Sequence, residues 1–198
     1  YLIPGIIRSF HARFPEIQVL LKISGTSSVV NDVLMGSLEV GIVGADPADQ
    51  RLECEPFFSD TLLLVVPPDH PWSKRVSVSP KELEEEPFIL REEGSGTRAV
   101  MNAALKDAGF DPSRLRVVAE MGSTEAVRHG VRSGLGISIL SCLALDEDVR
   151  RGDLVSISLD GVTIVRPFYL VRRKNRQPSP LAIPFLDHLK ASDTGTNP

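Results

Sequence analysis

Three short runs join glycine to hydroxyl side chains: Gly25-Thr26-Ser27-Ser28, Gly94-Ser95-Gly96-Thr97 and Gly122-Ser123-Thr124. Each stands where an apolar, strand-like stretch gives way to an amphipathic one. The first turn of a helix leaves about four backbone N–H groups without intrahelical partners and carries a partial positive charge. Glycine lets a ligand approach that backbone, and hydroxyls add donors and acceptors. The chemistry implied is capture of a small anion. Taken singly, each turn also reads as an ordinary helix cap, because Ser and Thr are preferred there; the argument rests on their recurrence at strand ends. The residues put forward are Thr26, Ser27, Ser95, Gly96, Thr97, Gly122, Ser123 and Thr124. Arg98 follows the second turn and can grip a carboxylate or sulfate with two parallel bonds; it reads equally as an exposed charge. His129, on the helix after the third turn, is the histidine offered to a ligand.

Nothing in the sequence points to covalent chemistry. No lysine follows these glycines at P-loop spacing, and Gly134-Leu135-Gly136 opens a strand rather than a helix, which fails the dinucleotide-binding context. The other histidines, His11, His70 and His188, are scattered, with His11 and His188 among polar helix positions that read as solvated. The acidic runs Glu84-Glu85-Glu86 and Glu92-Glu93 read as surface solvation. Two cysteines, Cys54 and Cys142, form no CxxC motif, so neither a disulfide framework nor a zinc site is expected, and a reducing cytoplasm fits. We expect no enzyme, no metal and no cofactor.

The elements that must position the turns follow from periodicity. The chain has 198 residues, 42% hydrophobic and 24% charged, with 26 acidic against 22 basic residues. That balance lacks the basic face of a nucleic-acid module; only Arg172, Arg173, Lys174 and Arg176 cluster, and they read as a solvated strand end. No apolar run reaches the roughly 18–20 residues of a membrane helix. Spacings of three and four predict helices over 3–14, from Val29 to Gly36, from Thr97 to Gly109, from Thr124 to Gly134, from Ser141 to Gly152 and over 180–191. Ser79-Pro80-Lys81-Glu82 predicts a short capped helix. Strands are predicted over 17–23, 40–43, 61–67, 88–91, 115–121, 137–140, 154–159 and 162–172, with a frayed end at 193–198. The segment 17–43 reads as a strand–helix–strand unit with parallel strands, and Pro67-Pro68-Asp69-His70-Pro71 as a hinge. The class is α/β, with mostly parallel sheets.

With the elements in place, longer stretches become familiar. Tyr1-Leu2-Ile3-Pro4 with Phe10 and Arg13-Phe14-Pro15-Glu16 resembles the start of the effector-binding domain of LysR-type transcriptional regulators. So do Val33-Leu34-Met35-Gly36 with Leu38-Glu39-Val40-Gly41-Ile42, and Leu63-Leu64-Val65-Val66-Pro67 with His70-Pro71. Val131 to Leu140 resembles the family's late VxxGxGIxxL signature, and the likeness runs through about residue 190. Glu93 to Arg98 further resembles the branch that includes regulators of sulfur assimilation.

The resemblance implies two Rossmann-like lobes of the type-2 periplasmic-binding-protein fold, joined by two crossover strands. Lobe one would comprise 1–66 and 168–198, and lobe two 67–167, with the ligand between them on the turns named above. It implies a sensor of a small anionic metabolite, a sulfur-containing anion or a carboxylate, in a cytoplasmic regulator that forms a homodimer, or a tetramer at full length. DNA would be read by a winged helix-turn-helix that is absent from this chain. The family normally begins lobe one with a strand and a Ser/Thr turn ahead of the Tyr1-Leu2-Ile3-Pro4 position; this chain starts after both, which leaves an apolar edge exposed and one ligand contact missing. An extracytoplasmic solute-binding protein of the same fold is the first alternative, and an enzyme on that fold the second.

Overall fold

The structure is a computed structural model that describes residues 2–192; the frayed end expected at 193–198 lies outside the described residues. Its contacts divide the chain into two compact units, unit 1 (Tyr1–Ser59 and Pro167–Pro198) and unit 2 (Asp60–Arg166).

Unit 1 packs two pairs of layers. α1 (Leu2–Arg13) buries Ile6 and Phe10, four residues apart on one helical face. Phe10 meets Phe14 and, edge-on, Phe185 of α6 (Ala182–Ser192), with ring centroids 4.9 and 5.0 Å apart. The same packing half-buries His188, expected to be solvated, and brings its Nε2 within 2.8 Å of Ser9 Oγ. α2 (Thr26–Met35) lays Val29 and Val33 on β1 (Gly41–Val43) and is closed by Gly36 in the left-handed region, φ 78°. β1 pairs antiparallel with the end of β8 (Ile164–Arg173), and β8 is followed in the sheet by the start of β2 (Leu52–Val66).

Residues 17–24, expected as a buried strand, form no regular element, and Leu20, Leu21 and Ile23 are 85%, 46% and 88% exposed. An apolar run becomes a strand only where a neighbour takes up its N–H and C=O groups. Among the described residues no strand pairs with this segment, so the expected parallel strand–helix–strand unit is not formed. Conversely, β2 begins nine residues earlier than the apolar run Thr61–Pro67 suggested. Glu53, Glu55, Pro56 and Asp60 hid its first half, but Arg172 pairs with Glu53 at 2.8 Å and Lys190 with Glu55 at 2.6 Å.

Unit 2 surrounds the apolar end of β2. Leu64, 1% exposed, stands opposite Ile139 of β6 (Ser138–Ser141) on one side and Ile157 of β7 (Val155–Leu159) on the other. Burying such a side chain contributes about 1.5–3 kcal/mol. β6 and β7 run antiparallel to β2 and are joined by α5 (Cys142–Arg151), which supplies the long connection that two like-directed strands require. β3 (Ser77–Val78) pairs parallel with β7, and β4 (Pro87–Arg91) parallel with β5 (Arg116–Met121). The sheets are therefore mixed rather than mostly parallel, because β1, β6 and β7 all meet the long strands β2 and β8 head to tail. α3 (Gly96–Asp107) and α4 (Thr124–Arg132) complete the unit, with Leu105, Val127 and Val131 wholly buried. The expected capped helix is a 3-10 turn, Pro80–Glu84, with Ser79 N–H donating to Glu82 Oε2 at 2.8 Å. The residues 67–71 expected as a hinge lie inside unit 2, where the Trp72 N–H donates to His70 Nδ1 at 3.1 Å; the passage between units falls within β2 and β8 instead.

Candidate functional site

In unit 2 three strand ends and three helix starts share one edge. β4 and β5 are parallel neighbours with Arg91 opposite Met121, so the turns that follow them leave the sheet at the same end. β6 joins their other side: Ile89 N–H donates to Ile137 O at 2.9 Å, and Ile137 N–H to Pro87 O at 2.8 Å. The buried Ser138 hydroxyl donates to Ile89 O at 2.8 Å. This close pairing needs Gly136, where a Cβ would stand 2.9 Å from the Pro87 carbonyl carbon. α3, α4 and α5 thus begin at the carboxyl edge of β4, β5 and β6, where open α/β sheets bind ligands.

At the start of α3, Ser95 and Thr97 are 6% and 5% exposed. Ser95 is the cap residue, yet its hydroxyl makes no capping bond. Thr97 Oγ1 accepts a hydrogen bond from Arg166 Nη1 at 2.9 Å. The other arm of that guanidinium, Nη2, donates to Asp60 Oδ2 at 2.8 Å, and Asp60 is 2% exposed. Asp60 Oδ1 in turn takes the Cys142 thiol at 3.7 Å, at the first residue of α5. A carboxylate so buried is held by an opposite charge and by the positive end of a helix. Burial pushes the Cys142 thiol above its ordinary range. The result is a line of polar groups from the head of α3 to the head of α5.

The third turn has its own arginine. Ser123 Oγ accepts from Ala126 N–H at 3.1 Å as a true cap, and Thr124 Oγ1 accepts from Arg91 Nη1 at 2.7 Å. Arg91 also clamps Glu92 through Nε and Nη2, each at 2.7 Å, and holds that carboxyl below the usual range. Arg98 is engaged inside the protein: Nη1 donates to Glu120 Oε2 at 2.6 Å and to Arg91 O at 2.9 Å. Gly122 is exposed, and His129 is exposed in the last turn of α4. Thr26 and Ser27 head α2 in unit 1, also exposed.

The structure therefore gathers Ser95, Gly96, Thr97, Ser123 and Thr124 along one edge of unit 2. Sequence reasoning missed Arg166, Asp60 and Arg91. Their sequence signal is a charge beside or within an apolar strand run. Among the described residues no group of three or more His, Cys, Asp or Glu side chains could hold a metal. No helix among them is long and apolar enough to cross a membrane.

Comparison with known proteins decides the family. Residues 1–193 match the model described as LysR substrate binding domain. The chain belongs to this family. The LysR domain is 32% identical over 182 residues to the RuBisCO operon transcriptional regulator of Allochromatium vinosum, covering 92% of this chain and 59% of that protein. It thus spans about three fifths of the length of such curated relatives. The solved Synechocystis PCC6803 CcmR regulatory domain in complex with 2-PG superposes with a TM-score of 0.87 at 30% identity, covering 98% of this chain and 92% of that one. The effector binding domain of QuiR in complex with shikimate gives 0.84 at 18% identity, covering 98% and 91%, a likeness of fold alone. The LysR domain accordingly has the type-2 periplasmic-binding-protein fold. The Allochromatium vinosum relative is named as a transcriptional regulator rather than an enzyme, and that name concerns the RuBisCO operon.

Proposed function

We propose that this LysR domain senses a small anionic metabolite at the carboxyl edge of β4, β5 and β6, and that occupancy sets the activity of a longer transcriptional regulator. The observation that carries the reading is the Arg166 guanidinium bonded to Thr97 at the head of α3, beside a buried Ser95 hydroxyl that makes no capping bond. A helix start, two hydroxyls and an arginine together suit a phosphate or carboxylate. The 2-PG bound by the CcmR regulatory domain supports a phosphorylated carboxylate, 2-phosphoglycolate being the first to test. In this reading the protein works in the cytoplasm as a homodimer, and DNA is contacted by a region outside this chain.

Arg166 lies on β8 and Asp60 on β2, the two strands that run on into unit 1. A ligand anion competes with Asp60 for Arg166 and so acts on both strands. It shifts the regulator only in so far as it binds one conformation more tightly than the other.

Thermal melting against 2-phosphoglycolate, sulfate, thiosulfate, simple carboxylates and neutral controls tests the reading. A ligand at 100 times its dissociation constant adds about 2.7 kcal/mol. The expected result is a raised melting temperature with one small anion, abolished by Thr97→Ala combined with Ser123→Ala. A panel without any anion-specific shift rejects the sensor reading; a shift that survives both substitutions rejects the site.

A further inference from the structure

Unit 1 holds a second concentration of positive charge. A cavity of about 630 Å³ is lined by Arg51, Arg173, Lys174 and Arg176, with Leu34 and Met35 as an apolar wall. Among the described residues no carboxylate lines it, although acids outnumber bases 26 to 22 along the chain. Among the described residues no ion pair engages Arg173, Lys174 or Arg176, whereas neighbouring Arg172 pairs with Glu53 and Glu55. The sequence cluster at 172–176 is therefore divided: one arginine holds β2 and the other three cations face a cavity.

The main chain that carries the cations is held in place. Lys174 N–H donates to Arg51 O at 2.8 Å, and Asn175 turns the chain with φ 60°. Arg51 is clamped on Asp49 through Nε and Nη2 at 3.0 and 2.7 Å, so one of the four charges is offset. The guanidinium of Arg176 fills the space that a side chain on Gly36 would take, at the end of α2. Three cations without an ion pair among the described residues line the cavity, Arg176 at the negative end of α2. The volume is that of a small-molecule site, not of the extended basic face that tracks nucleic acid.

We infer that this cavity binds an oligophosphate, free or esterified to an organic body that rests on Leu34 and Met35. Arginine forks match phosphate oxygens in pairs, and adjacent phosphates supply the several negative charges that suit a group of cations without ion pairs. The inference concerns a different unit from the Thr97 site and does not depend on it.

Calorimetric titration of the 198-residue chain with inorganic tripolyphosphate at fixed ionic strength, against sulfate as control, tests this. Expected is one-to-one binding, at least about tenfold tighter than sulfate, a difference of some 1.4 kcal/mol. Arg173→Ala with Lys174→Ala, both exposed positions, should weaken it about tenfold or more. A nucleoside triphosphate run alongside separates the two sources: equal affinity assigns the site to the phosphate chain, and tighter binding brings the apolar wall into it. No binding, binding no tighter than sulfate, or full affinity in the double variant overturns the proposal. Displacement by duplex DNA at lower concentration than tripolyphosphate overturns it as well.

Discussion

Asp60 and Arg166 illustrate how a charge becomes tolerable inside an apolar unit. The Asp60 side chain is 1% exposed and that of Arg166 17%, and they meet at 2.8 Å. Removing one member of a buried pair leaves the other charge uncompensated, which costs about 3–5 kcal/mol. We predict a loss of that order for Asp60→Ala in urea unfolding, and a smaller one for Asp60→Asn, which keeps the shape and an acceptor for Cys142. A loss below about 1 kcal/mol would place the pair among surface ion pairs. The same substitution frees Arg166 toward Thr97, so the response to a small anion should change as well.

Among the elements, the junction of β6 with β4 decides whether the three helix starts share an edge. It closes only because position 136 has no side chain against the Pro87 carbonyl. Gly136→Ala puts a methyl group against backbone, which cannot swing aside. We expect about 1–3 kcal/mol of destabilisation, the usual cost of overfilling a packed interior. It should show as a lower urea midpoint with an unchanged slope, since the unfolded surface is the same. A change of slope, or no loss at all, would mean that the strands part without this contact. The segment 17–24 teaches the opposite lesson: an apolar pattern alone leaves Leu20 and Ile23 in solvent.

For the molecule as a whole, charge sets the pH range of stability. Arg51 holds Asp49 at about 2, below its ordinary 3.8. Glu55 beside Lys190, Glu82 beside Arg75, Glu92 beside Arg91 and Asp111 under the Ser113 N–H are all lowered too. A carboxyl lowered in the folded state leaves the unfolded chain binding more protons in acid. Its contribution is complete above the ordinary carboxylate range and drains as pH falls toward about 2. We predict a urea midpoint that is flat from about pH 7 to 5 and falls steadily below. Most of these pairs are exposed, so added salt should flatten the fall. The raised thiols of Cys54 and Cys142 act at the other end: their contribution is full below the ordinary 9.0 and declines as pH rises through it.

The sequence by itself determined the helices, the α/β class and the three hydroxyl-bearing turns. Those signals are local: a 3.6-residue apolar period around Val127 and Val131, a glycine just past the end of α2, α3, α4 and α5, and Ser or Thr at helix starts. It carried the family as well, through Leu63–Pro67 and Val131–Leu140. The strand directions, the first half of β2, and the partners of Thr97 and Thr124 belonged to tertiary structure. Arg166 reaches Thr97 across 69 residues and Asp60 across 106, and no local pattern encodes a bond of that span. Whether an apolar run such as 17–24 becomes a strand depends on a neighbour to pair with, and whether a cation faces solvent, a carboxylate or a cavity depends on what the fold brings opposite it. The cations at 173, 174 and 176 read as a solvated strand end until α2 and the approach to β2 stood beside them.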